Sequence, residues 1–224
     1  MKTKLLFWSY VILAMANVVG NLLGMASLVD FTKVTLMPIL IAYLYESTRG
    51  HVTILTLFTA AALIFSWLGD VALMKEGDTY FMLGLSSFLL AHLVYSYTFL
   101  RSIHFQVQVR WGFLVPVLLY GSVMLYLLVP KAGSLAAPII VYALVICTAV
   151  ITGAHRMGKV GDQSFRLVLW GILSFAISDS LLAWAKFVTN FEGSGASVML
   201  TYAVGQLLIV EGMIKQEVGT QSAY

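Results

Sequence analysis

Long apolar runs separated by short polar breaks fill the chain from end to end. Eight runs stand out, at residues 5–24, 28–45, 52–74, 79–100, 111–129, 136–153, 167–188 and 198–214. Each approaches the ~20 apolar residues that a helix needs to cross a bilayer. The breaks carry turn-forming and charged residues: Arg49 and His51, Lys75-Glu76-Gly77-Asp78, Pro130-Lys131 with Gly133, and a basic loop from His155 to Arg166. The pattern predicts an all-α, polytopic membrane protein of eight transmembrane helices, with Pro38 expected to kink the second. Lys2, Lys4 and Ala14-Met15-Ala16 resemble a secretory signal and its cleavage site. The apolar run continues past that site to Gly24, so this stretch reads as the first span.

Composition supports the same solvent. Hydrophobic residues make up 60% of the chain and charged residues 10%, against roughly 25% charged in soluble domains; mean hydropathy is +0.93. The net charge of +3 is spread over loops, which leaves no nucleic-acid surface. Lys2, Lys4, Arg49, Arg101, Arg110, Arg156, Lys159, Arg166 and Lys215 fall on one side of an eight-span topology, against Lys75, Lys131 and Lys186 on the other. The positive-inside bias therefore places both termini in the cytoplasm. The expected location is a plasma membrane, the bacterial inner membrane, as a single integral domain over residues 1–224. The third and seventh runs share a pattern four spans apart, which hints at a weak repeat of four helices in residues 1–104 and 105–224.

Two carboxylates interrupt this apolar pattern. Asp70 lies in LIFSWLGDVALM (63–74) and Asp179 in LSFAISDSLLAW (173–184). An ionisable group at membrane depth is expensive and marks a functional site by default. In a low-dielectric pocket a carboxyl holds its proton more readily, and a pair sharing one site divides the roles of acid and base. The alternative is that each pairs with a lysine or caps a neighbouring helix. Span counting brings Asn17, Asn21, Lys33, Tyr202 and Gln206 to a similar depth, so we expect one cavity. Asn21, Lys33, Ser66, Ser178, Lys186, Tyr202 and Gln206 are candidate substrate-binding residues. Ser66 and Ser178 equally suit close helix packing. Lys33 and Lys186 suit a phosphate or, alternatively, snorkelling to the interface. His92 and Tyr95 form a second tier, with His92 read first as a buried histidine paired with a neighbouring helix. A lone cysteine and scattered histidines give no metal-ligand set, and no cofactor motif is present.

Taken together, FSWLGDVALM, FMLGLSSFLLAHLVYSY, FAISDSLLAWAKF and TYAVGQLLI resemble the YhhN-like family, which includes the animal lysoplasmalogenases. The resemblance runs over nearly the whole chain. It departs from the family's Tyr-Tyr-x-Ala-Gln pattern at Tyr202-Ala203-Val204-Gly205-Gln206. It implies a membrane enzyme that cleaves the vinyl ether of a lysophospholipid to a fatty aldehyde and a glycerophospho-headgroup, with Asp70 and Asp179 at the family's acidic positions. Such a bond is hydrolysed by protonating its β-carbon and capturing the resulting oxocarbenium ion with water, work suited to paired carboxylates. The deeper Asp179 is the expected acid. Two rivals are an intramembrane aspartyl protease, whose Gly-x-Gly-Asp and Tyr-Asp pairs are not matched here, and a proton-coupled transporter.

Overall fold

The computed structural model describes residues 1–50 and 52–221, and for 220 and 221 the backbone only; His51 lies outside the described residues. Among the described residues, eight helices are long and apolar enough to cross a membrane, and there is no strand. They are α1 (Lys2–Leu22), α2 (Ala26–Ser47), α3 (Ile54–Ala72), α4 (Asp78–Ser102), α5 (Trp111–Leu128), α6 (Ala136–Ala154), α7 (Asp162–Phe187) and α8 (Ser194–Gln221). Two 3-10 turns, Val129–Lys131 and Gly133–Leu135, join α5 to α6 where Pro130 and Gly133 stop the helix. The protein is an integral, multi-pass membrane protein.

Helix ends follow local chemistry. Thr53 caps α3 in a reciprocal box with Thr56, which satisfies backbone donors that a helix start leaves free. Pro38 sits inside α2, which continues unbroken through it. The largest departures from the hydropathy pattern are at α7 and α8. α7 starts at Asp162, five residues before its apolar run, and α8 extends from Ser194 to Gln221. An acidic residue in the first turn favours the helix, and hydropathy marks the membrane-crossing part of a helix rather than its ends. Arg166 thus belongs to α7 rather than to a loop.

α1, α2, α3, α4, α6, α7 and α8 pack in a closed ring, each against the next, with α8 closing on α1; α5 lies outside, chiefly against α6. Lipid tails are as apolar as the helices, so packing depends on close backbone approach and buried hydrogen bonds. α7 and α8 show this most clearly. A Cβ at Gly205 would lie 2.9 Å from the Gly171 carbonyl oxygen, and one at Gly171 would lie 2.7 Å from the Ile209 nitrogen. Only glycine permits that seam.

Buried polar bridges pin the ring. Arg156, assigned from the sequence to a basic surface loop, is fully buried. Its guanidinium donates to Ser102 (3.1 Å), Ser164 (2.8 Å) and Gln216 (2.5 Å), joining α4, α7 and α8 at the end that holds the termini. Halfway along the core, Tyr95 donates to Gln206 Oε1 (2.6 Å) and Gln206 Nε2 donates to Ser66 (2.9 Å). That chain ties α4, α8 and α3 together.

Candidate active site

Toward the end of the bundle opposite the termini, the ring encloses a polar cavity of about 150 Å³. Asn21, Lys33, Asp70, Ser178, Asp179 and Tyr202 are on its wall. Asp70 and Asp179 come from helices α3 and α7, and both are buried, at 3% and 7% exposure. A narrower cavity of about 60 Å³ adjoins it, lined by Phe81, Met124, Leu128, Ile139 and Ile146. Leu73, Phe88, Asp179 and Leu182 border both cavities. Asp179 therefore stands at the junction of a polar chamber and an apolar one.

The two carboxylates are held differently. Asp70 accepts one hydrogen bond, from the Tyr202 hydroxyl to Oδ2 at 2.7 Å. Asp179 Oδ2 lies 2.7 Å from His92 Nε2 and accepts from the Tyr142 hydroxyl at 3.0 Å. His92 is fully buried, its ring centroid 4.3 Å from that of Phe175. Among the described residues its buried Nδ1 has no hydrogen-bond partner. A proton on Nδ1 would be an orphaned donor in an apolar core, so the geometry favours Nε2 as the donor to Asp179. Oδ2 of Asp179 thus receives two donors.

Other polar groups set the wall. Asn17, fully buried, donates to Thr32 (2.8 Å) and to the Val29 carbonyl (3.1 Å), while Asn21 Nδ2 donates to Asn17 Oδ1 (2.9 Å). This network fixes α1 against α2, the helix that brings Lys33 to the cavity. Ser178 lies on the wall, but its hydroxyl donates to the Val198 carbonyl at 2.9 Å and seats α7 on α8.

The cavity gathers Asp70, Asp179, Lys33, Asn21, Ser178 and Tyr202, all candidates from the sequence. Ser66, Gln206, Lys186, Tyr95 and His92 are not on its wall. Ser66 and Gln206 are fully buried beneath it and satisfy each other and Tyr95, also off the wall. Lys186 lies at the end of α7, where its ammonium reaches Asp78 at 3.0 Å and the Phe81 ring at 5.0 Å. An exposed carboxylate within reach of a flexible lysine takes the charge away from the interior. Gly69, beside Asp70, makes room for the ring of Phe88, which a Cβ there would meet at 2.7 Å. His92 is joined to the site by its hydrogen bond to Asp179. Nothing in the sequence marks Tyr142, because a single tyrosine in the largely apolar 136–153 run carries no pattern.

A bundle of eight apolar helices enclosing a cavity with two buried carboxylates defines a polytopic membrane protein with an intramembrane polar site. The chain belongs to the YhhN family, whose model matches residues 28–213. It is similar to lysoplasmalogenase TMEM86B of Homo sapiens, 29% identical over 161 residues, which is 70% of this chain and 63% of that protein. Over 152 residues it is 31% identical to lysoplasmalogenase TMEM86B of Sus scrofa, covering 66% of this chain and 59% of that protein. Lysoplasmalogenase TMEM86A of Bos taurus is 28% identical over 181 residues, 77% of this chain and 73% of that protein. The chain thus spans about three fifths of the length of the two TMEM86B proteins. No solved structure matches it.

Proposed function

We propose that this protein is a lysoplasmalogenase-like hydrolase of a plasma membrane, and that it cleaves the vinyl ether of lysophospholipids with Asp70 and Asp179. The observation that carries the reading is the shared wall. Both carboxylates line one cavity, and Asp179 also borders the apolar chamber beside it. A single-chain phospholipid has the matching polarity. Its phosphate faces Lys33 and Asn21, its hydrocarbon enters among Phe81, Leu128 and Ile139, and its vinyl ether, between the two, lies beside Asp179.

The hydrogen bonds support one division of labour. Asp179, with two donors on Oδ2, suits the carboxylate form. Asp70, with one tyrosine donor, is the proton donor. This is the converse of the division expected from depth alone. The Asp70 proton adds to the β-carbon of the double bond, and the ether oxygen shares its electrons with the α-carbon as an oxocarbenium ion. Asp179 faces that positive charge. Water then adds to the α-carbon and gives a proton to Asp179. The resulting hemiacetal collapses: its hydroxyl proton returns to Asp70, its carbon–oxygen bond to glycerol breaks, and Asp179 delivers its proton to the departing glycerol oxygen. Both carboxyls finish as they began, and the products are an aldehyde and a glycerophospho-headgroup.

The test uses purified protein with a lysoplasmalogen and, as control, the acyl lysophospholipid of the same headgroup. Aldehyde released from the first alone is expected. If neither substrate is consumed while a proton gradient drives solute uptake into vesicles, the transporter reading replaces this one.

A further inference from the structure

A second polar constellation lies at the opposite end of the bundle, on the lipid-facing side, and the proposed chemistry does not use it. An open groove of about 640 Å³ runs between α1 and α8, with Tyr43 of α2 on its wall. Glu211 lines it and accepts a hydrogen bond from the Tyr43 hydroxyl. Lys4 lines the same groove, and among the described residues Glu211 has no ion-pair partner. Three aromatic rings share the wall: Phe7 packs edge-on to Trp8 with centroids 5.3 Å apart and lies 5.9 Å from Tyr43. Leu207 and Leu208 supply the apolar remainder.

Each part is ordinary by itself, but the combination is not. A carboxylate on a membrane-facing groove is costly unless a cation meets it. Aromatic faces together with a carboxylate attract ammonium groups, quaternary ones included. Lys4, in the first turn of α1, stands where a lipid phosphate would lie. We propose that this groove binds a bilayer phospholipid with a zwitterionic headgroup. The ammonium sits against Glu211 and the rings of Phe7, Trp8 and Tyr43, the phosphate meets Lys4, and an acyl chain follows Leu207 and Leu208. An anionic lipid offers Lys4 a phosphate but gives Glu211 nothing. The groove is therefore selective for headgroup charge, and it is separate from the cavity that holds Asp70 and Asp179.

Native mass spectrometry of the full chain in detergent, titrated with dioleoyl phosphatidylcholine, phosphatidylethanolamine or phosphatidylglycerol, tests this. The two zwitterionic lipids are expected to bind more tightly than phosphatidylglycerol. Glu211→Gln lowers their affinity roughly tenfold, the scale of a lost ammonium contact in a partly desolvated site, and leaves phosphatidylglycerol unchanged. Lys4→Met weakens all three. A preference for choline over ethanolamine assigns more of the contact to the rings, the converse more to the carboxylate, and either supports the site. Trp8→Leu, at an exposed ring that the fold does not need, provides a second variant if Glu211→Gln lowers the melting temperature. The proposal is overturned if phosphatidylglycerol binds the wild type as tightly as the zwitterionic lipids, or if Glu211→Gln and Trp8→Leu both retain wild-type lipid binding.

Discussion

Replacing His92 by Phe and Tyr142 by Phe, singly and together, tests what holds Asp179. Tyr142→Phe deletes one hydroxyl whose hydrogen bond spans 3.0 Å, and His92→Phe keeps a flat ring against Phe175 while removing the 2.7 Å contact to Oδ2. Hydrogen bonds to a charged group contribute about 1.5–3 kcal/mol each. If both donors hold Asp179 as the anion that faces the oxocarbenium ion, each loss falls on the transition state. Each single variant should then lower kcat roughly 10- to 150-fold with KM little changed. In the double variant the effects should depart from additivity by about 0.5–3 kcal/mol, since both donors meet one oxygen. The assay is aldehyde release in detergent from a lysoplasmalogen over a range of substrate concentrations, with thermal melting measured in parallel. A merely structural pair would lower the melting temperature and leave kcat alone. Both single variants turning over within threefold of wild type would refute the reasoning.

Three other perturbations separate binding, scaffold and seam. Lys33→Met should raise KM for a phosphate-bearing substrate about tenfold and leave kcat nearly unchanged, because the ammonium contacts a part of the lipid that does not react. Gln206→Leu should cost about 1–3 kcal/mol of stability by leaving Tyr95 and Ser66 unpaired in the core, seen as a lower melting temperature with kcat retained. Gly205→Ala should cost about 1–3 kcal/mol through overpacking of α7 against α8, since the new Cβ would be 2.9 Å from a backbone carbonyl; melting of the purified variant measures it.

The sequence made the eight helices legible because a membrane leaves no ambiguity about a 20-residue apolar run. Asp70 and Asp179 were equally legible, since charge at that depth has few bland explanations. Which groups meet around them was not. Ser66 and Gln206 have the right depth and polarity, yet they satisfy each other one layer below Asp70. Depth along a helix follows from counting, whereas the face a residue presents depends on the order of the ring. That order is set by contacts such as the Gly171–Gly205 seam, which no linear pattern reveals. Tyr142 illustrates the same limit: its hydroxyl has meaning only because α6 stands beside α7. Lys186 follows its snorkelling alternative. It sits at a helix end, where its ammonium meets the exposed Asp78 at the start of α4.

The central claim is that a proton passes from one buried carboxyl to carbon while a second carboxylate faces the cation. Mass analysis of the aldehyde made from a lysoplasmalogen in deuterium oxide reads that step directly. The account predicts a single deuterium on the carbon next to the aldehyde with wild-type protein, and no aldehyde above background with Asp70→Asn or with Asp179→Asn, both folded. Labelled aldehyde formed at the wild-type rate by either variant would contradict it.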